Sequence, residues 1–251
     1  MDYYSKYWDL YNDLFKPSEI RQDEINFINA ILINLDIIYN KKISSIVEYG
    51  CGDGRIVDYF AKLKNLEHIT LVDTSDSVYI AYERVKNKSK NIDIIKTDFN
   101  HLNINFPKDS ALIAIGLINY FRDQVLVLNN ITKQKPPVIF LGVTGYSFRG
   151  KLYKLLNLIR GSFLNFILFY VFIVLNKLKF YFIKMNLTNS VLFRTIIKLM
   201  EPLIAKKIFR LSHNSYVKLL NERGYTLVGS EELGLCRWMV YVYNNQKVNP
   251  C

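Results

Sequence analysis

The sequence predicts a doubly wound α/β domain on a seven-stranded mixed sheet, and three observations carry that reading. Strand-length apolar segments alternate with segments of helical period from about residue 20 to residue 143. A glycine-rich loop follows the first strand and opens a helix. Two strands then close the chain with only a tight turn around Gly234 between them, so they pair antiparallel. Strands alternating with helices build a parallel sheet covered on both faces, and the terminal hairpin makes it mixed.

Each element has its own signal. Pro17-Ser18 opens a helix, with Ser18 as N-cap and Ile20, Ile25, Phe27, Ile28, Ile31, Leu32 and Leu35 near helical spacing. Residues 43–49 read as a buried strand. Residues 55–64 follow as a helix, with Ile56, Val57, Phe60 and Leu63 on one face. A strand over 68–72, a helix over 76–88 and a strand over 92–96 come next. Residues 111–115 are apolar throughout, as a central parallel strand requires. A helix over 124–133 is stopped by Pro136-Pro137, and 138–143 form the fifth strand. After a long interruption a helix over 215–223 ends near Gly224, and strands over 225–230 and 237–243 complete the pattern.

The length of 251 residues, half of them hydrophobic and 14% aromatic, supports a packed core and argues against disorder. Three distant cysteines form neither a disulfide framework nor a zinc site, which suits a reducing compartment. The N-terminus shows no basic region leading into an apolar run, so a cytoplasmic location is expected. Nor does any spacing of His, Asp and Glu form a metal motif. The net charge of +11 is confined to one part of the chain. Residues 1–150 balance 18 basic against 18 acidic side chains, whereas 151–210 carry 11 basic residues and one acid, Glu201. Three parts follow: an α/β core over 1–150, a basic apolar helical insertion over 151–210 between strands five and six, and a closing helix and hairpin over 211–251.

The chemistry is concentrated in Val47-Glu48-Tyr49-Gly50-Cys51-Gly52-Asp53-Gly54-Arg55. Glycines at a strand-to-helix turn permit positive φ and a close backbone approach to a ligand, beside the free N–H groups of the helix start. A dinucleotide fingerprint counted from Gly50 needs glycine at 55, where Arg55 stands; counted from Gly52 it needs glycine at 57, where Val57 stands. The pattern E-x-G-x-G-x-G resembles instead the first motif of class I S-adenosylmethionine-dependent methyltransferases. The resemblance covers residues 1–150 and 212–243.

That resemblance implies S-adenosylmethionine as cofactor and assigns its holders. Glu48 matches the acid that meets the methionine end, above Gly50, Cys51, Gly52 and Gly54. Asp73, followed by Thr74 at the end of the second strand, matches the acceptor of the ribose hydroxyls. Asp98, with Phe99 beside it, matches the acid that accepts from the adenine amino group. Cys51 reads as a small packing residue, not a nucleophile. Tyr4 and Tyr7, in the aromatic N-terminal string, match a segment that folds over the cofactor; plain packing on the domain is the alternative.

Methyl transfer requires alignment of the acceptor behind the methyl group and exclusion of water, and a base only if the acceptor must lose a proton. The loop from Gly116 to Asp123 is where the family's acceptor meets the methyl. It lacks the Asn/Asp-Pro-Pro-aromatic tetrapeptide of enzymes that methylate exocyclic base amines or glutamine amides. Asn119 and Tyr120 are the candidate lining residues there. His213, beside a helix start, is the candidate base; helix capping is its alternative.

The insertion combines its charge with a run, Phe163–Leu175, that contains one amide, Asn165, and no charge. The uncharged stretch Gly161–Asn176 is 16 residues. As a helix it spans about 24 Å at about 1.5 Å per residue, short of the roughly 30 Å of a bilayer core. A return span is also missing, since Phe180–Phe193 carries Lys184 and several polar residues. Four roles stay open: a lid over the acceptor pocket, a lid lying on an anionic membrane, an oligomer interface, and RNA contact. Nucleic acid is the least favoured, because phosphates have no use for Phe163, Phe166, Phe169 and Phe172. The expected acceptor is therefore small or lipid-like, with peripheral membrane contact through 151–210. A catalytically idle protein of this fold, acting as a docking or assembly module, is the competing reading.

Overall fold

The computed structural model describes residues 19–88, 91–97, 103–144, 211–233 and 236–244, together with positions 174, 177, 178, 181, 182 and 184. Tyr4, Tyr7, Ser18, Asp98, Phe99 and most of 151–210 lie outside the described residues.

In chain order the elements are α1 (Gln22–Tyr39), β1 (Ser45–Tyr49), α2 (Arg55–Phe60), β2 (His68–Asp73), α3 (Ser77–Val85), β3 (Asn91–Lys96), β4 (Ser110–Ile115), a single 3-10 turn (Ile118–Tyr120), α4 (Gln124–Lys133), β5 (Val138–Thr144), α5 (His213–Asn221), β6 (Tyr225–Leu233) and β7 (Cys236–Tyr243). The strands form one seven-stranded sheet in the order β3-β2-β1-β4-β5-β7-β6. β1 to β5 pair parallel, and β7 lies antiparallel between β5 and β6. The sheet is doubly wound, because the strand order reverses between β1 and β4.

Alternation along each strand feeds two cores. Ile46, Ile113, Phe140, Trp238 and Val240 face α1, α2 and α3. Val47, Tyr49, Leu112, Leu141, Met239 and Tyr241 face α4 and α5. Edge-to-face ring pairs, Phe60 on Phe140 at 5.5 Å and Phe27 on Trp238 at 6.2 Å, lock α2 and α1 onto the first face. α1 packs over a bulge in β6, and Gly229 makes room for it: a Cβ there would lie 2.3 Å from Ile31 Cδ1.

The boundaries differ from the sequence expectations where caps decide them. α1 starts after Arg21, not Ser18, because Glu24 Oε2 accepts the Arg21 N–H at 3.0 Å and closes the first turn. α2 stops at Phe60 rather than 64, since Lys62 and Leu63 donate to carbonyls three residues back and tighten the chain into a turn towards β2. α5 starts at His213, two residues early, because Ser212 Oγ accepts the Ser215 N–H at 3.1 Å.

Candidate functional site

The carboxyl ends of β1, β2 and β4 meet at the point where strand order reverses, the place where open α/β sheets bind ligands. The glycine loop is pinned there. The N–H groups of Gly50 and Cys51 donate to Val72 O at 2.8 and 3.2 Å, and Gly54 N–H closes onto Cys51 O at 2.9 Å. Gly50 abuts the chain after β4: a Cβ on it would lie 3.0 Å from Leu117 Cδ1.

The remaining glycines divide by purpose. Gly54, expected at the ligand, turns its bare side to α3, where a Cβ would meet Ala81 Cα at 2.8 Å. Its glycine is required by packing. Gly52 (φ +51°) and Gly116 (φ +76°) turn theirs away from the rest of the described residues, none of which comes within 4 Å of where a Cβ would stand. A ligand can therefore approach the backbone at those two positions.

Asp73 ends β2 with its carboxylate across this opening. Its Oδ2 accepts the Gly52 N–H at 3.0 Å, and its Oδ1 accepts the Ser75 N–H and hydroxyl at 2.9 and 2.8 Å. A carboxylate offers about four acceptor positions, so the group is oriented and still able to accept from a diol. Thr74 is exposed beside it.

Glu48 lies beneath the loop, 3% exposed. Its Oε2 accepts the Val57 N–H at 3.1 Å. α2 is capped by a glycine that has no side chain to offer, and Glu48 supplies the missing acceptor from below. Burial pushes its pKa up to about 8 against the opposing pull of Arg55. Cys51 is buried, and burial, then the nearby Glu48 and Asp73 carboxylates, holds its thiol well above the usual range. It is a packed neutral thiol.

Asn119 and Tyr120 fall in the 3-10 turn directly after Gly116 and Leu117. Asn119 is 2% exposed, and its Oδ1 has no hydrogen-bond partner among the described residues. A buried amide oxygen without a donor is costly unless something supplies one. His213 is the first residue of α5, where burial and then Arg237 hold its imidazole pKa below the usual value. It is therefore neutral near pH 7 and able to accept a proton.

Sequence reasoning missed Gln124. This buried side chain donates from Nε2 to Ile118 O at 3.1 Å, and its Oε1 accepts from Leu211 N–H at 2.9 Å and Tyr216 Oη at 2.7 Å. It ties the turn holding Asn119 to the chain that enters α5 at His213. Its α5-side partners are 87 and 92 residues away in sequence, so no local pattern announced them. The structure thus gathers Glu48, Gly50, Cys51, Gly52, Asp73, Gly116 and Asn119 at one end of the sheet, and Gln124 binds Leu211 and Tyr216 on either side of His213.

The model of the family described as "Methyltransferase domain" matches residues 47–134. No curated protein matches the sequence. Among solved structures, magnesium protoporphyrin IX methyltransferase from Synechocystis PCC 6803 superposes with a TM-score of 0.55 at 9% identity, covering 94% of each chain. The N-methyltransferase NodS from Bradyrhizobium japonicum gives 0.53 at 12% identity, covering 95% of this chain and 98% of that one. The methyltransferase domain of bacterial CtHen1 gives 0.53 at 16% identity, covering 88% and 98%. At these identities the likeness is one of fold.

Proposed function

We infer, from the match of residues 47–134 to the methyltransferase-domain family and from a fold shared with class I S-adenosylmethionine-dependent methyltransferases, that the chain is such an enzyme and methylates a small, lipophilic acceptor. The observation that carries the reading is the opening before Gly52 and Gly116, with the Asp73 carboxylate across it. When bound, S-adenosylmethionine supplies a sulfonium-activated methyl group. The residues fit it. Asp73, next to Thr74, accepts from the ribose diol; Glu48 faces the methionine ammonium through the loop of Gly50, Cys51, Gly52 and Gly54. The resemblance alone assigns Asp98 and Phe99 to the adenine amino group and ring, and Tyr4 and Tyr7 to a cover over the cofactor, since these four lie outside the described residues.

Acceptor alignment falls to the turn after β4. Asn119 Oδ1 accepts a donor on the acceptor, and Tyr120 orients it. His213, neutral near pH 7, removes a proton when the acceptor is a hydroxyl or protonated amine. The lipophilic character is drawn from the apolar run Phe163–Leu175, inserted in the sequence between β5 and α5.

Calorimetry tests the cofactor step: micromolar binding of S-adenosylmethionine, weakened at least about tenfold in Asp73→Ala, since charge-assisted hydrogen bonds contribute about 1.5–3 kcal/mol each. Absence of binding to the unaltered protein overturns the reading in favour of an idle docking module. Incubation with methyl-labelled cofactor and cell extract, followed by organic extraction, tests the acceptor. Label confined to the aqueous phase rules out a lipophilic one.

A further inference from the structure

α1 has two faces. Phe27, Ile28, Ile31 and Leu35 turn inward and are buried. On the other side Asn26, Ala30, Ile33 and Ile37 are exposed, with Ile33 at 57% and Ile37 at 76%. At about 100° per residue these four lie within about 60° of one another, and Ile33 falls about opposite the buried face. Their spacing of four, three and four residues is that of the d, a, d and a positions of a heptad, the seam along which two helices pair. Isoleucine gains little on the solvent side of a helix, where straight-chain residues and alanine are the better formers.

We propose that this seam pairs with the same seam of a second copy of the chain, the two α1 helices running antiparallel across a two-fold axis between Ile31 and Leu32. The inference stands apart from the methyltransferase reading. An antiparallel pair sets each a position against a d position of the other helix. Ile33 of each copy then packs on Ala30 of the other, large on small, and Ile37 packs on Asn26. The amide of Asn26 is prepared for such a neighbour, because its Oδ1 already accepts Gln22 Nε2 at 2.9 Å. Charge points to the same occupant and orientation. Glu19 precedes α1 and Lys41 and Lys42 follow it, and none of the three has an ion-pair partner among the described residues. The two-fold axis brings Glu19 of each copy alongside Lys41 and Lys42 of the other and opposes the helix dipoles. A parallel pair would set like charge beside like. Residues 19–42 carry four acids and three bases, so no excess of cations holds this face to an anionic leaflet. A seam of about three turns buries less than the roughly 1,200 Å² of a standing complex, so the dimer is a reversible one.

Sedimentation velocity of the full chain over a wide range of protein concentration tests this. The expected result is a reversible monomer–dimer equilibrium. Ile33→Glu raises its Kd at least about tenfold, because two isoleucines per dimer lose their burial and two carboxylates take their place. The side chain is exposed in the single copy, so the variant keeps the parent's Tm and S-adenosylmethionine affinity. Lys42→Glu weakens the dimer about threefold, the scale of two exposed ion pairs, and Glu19→Lys in the same chain restores it. Disulfide trapping reads the register. Ala30→Cys protein mixed with Ile33→Cys protein cross-links faster than either alone, above the background of the parent's own cysteines. A chain that stays monomeric at every concentration overturns the proposal. So does a dimer that Ile33→Glu leaves intact, which places the interface elsewhere, or a monomer that floats with phosphatidylserine vesicles through Ile33, which makes lipid the occupant. Fastest trapping within Ile33→Cys alone overturns the antiparallel register.

Discussion

Glu48 sits on β1 with its carboxyl sealed under the glycine loop, and two consequences follow from a folded pKa of about 8 against an ordinary 4.5. Between those values the folded protein holds a proton that the unfolded chain has released, so stability falls as pH rises through the interval. Glu48→Gln removes that slope: its Tm exceeds the parent's at pH 8 and matches it at pH 5. The second consequence concerns binding. An ammonium beside Glu48 favours the ionised carboxyl, so S-adenosylmethionine binding at pH 7 expels close to one proton. Titration in buffers of different ionisation heat reads this directly, and an unchanged buffer dependence in Glu48→Gln assigns the proton elsewhere. The glycines give a paired prediction. Gly54→Ala drives a methyl into Ala81 and costs roughly 2–3 kcal/mol in urea unfolding. Gly52→Ala meets no neighbour among the described residues; its strain costs about 1 kcal/mol, and its main effect is loss of cofactor affinity. Reversal of that order would mean that the opening before Gly52 is not the ligand site.

At the scale of elements, α4 and α5 act through Gln124. Gln124→Glu keeps an oxygen for Leu211 and Tyr216 but, once ionised, loses the donor to Ile118 O, whereas Gln124→Ala loses each of these bonds. Tyr216 is fully buried, so loss of the bond from its hydroxyl to Gln124 costs the alanine variant about 1 kcal/mol. Glutamate is expected to raise KM for the acceptor and to lower stability as rising pH ionises the buried carboxyl against Ile118 O, with little change in cofactor affinity. If glutamate and alanine lower stability alike and leave KM alone, Gln124 is only a strut. Ser212→Ala isolates the α5 cap, at about 1 kcal/mol. The same elements show what was legible beforehand. Strands and helices were readable because period and burial coincide: Ser110–Ile115 is apolar and central, and Gln124–Lys133 was placed to the residue. Their ends were not, because Glu24 and Ser212 cap by contacts a period does not contain. The glycine loop was legible as a motif, yet which glycine faces a ligand depended on Ala81, and the Gln124 bonds depended on distant partners.

For the whole molecule, chain order and spatial order diverge at β7, which inserts between β5 and β6 after the basic segment has intervened. Residues 211–251 therefore complete the sheet. A chain ending before 211 exposes the β5 edge and strips Tyr216, Leu220, Met239 and Tyr241 from one core, and it is expected to be insoluble. The segment 151–210 stands in the opposite position. Joining residue 150 to 211 through a glycine-serine linker removes 11 basic residues and one acid, while the seven strands and both cores remain. Changing the length of a connection costs little in closure entropy, which varies only with the logarithm of length. The shortened protein is therefore expected to unfold cooperatively and to bind S-adenosylmethionine with the parent's affinity. It should nevertheless lose methylation of the organic-soluble acceptor. Calorimetry and the labelled extraction separate these outcomes. Retained methylation at the parent's kcat/KM would show that acceptor recognition lies wholly in the turn after β4.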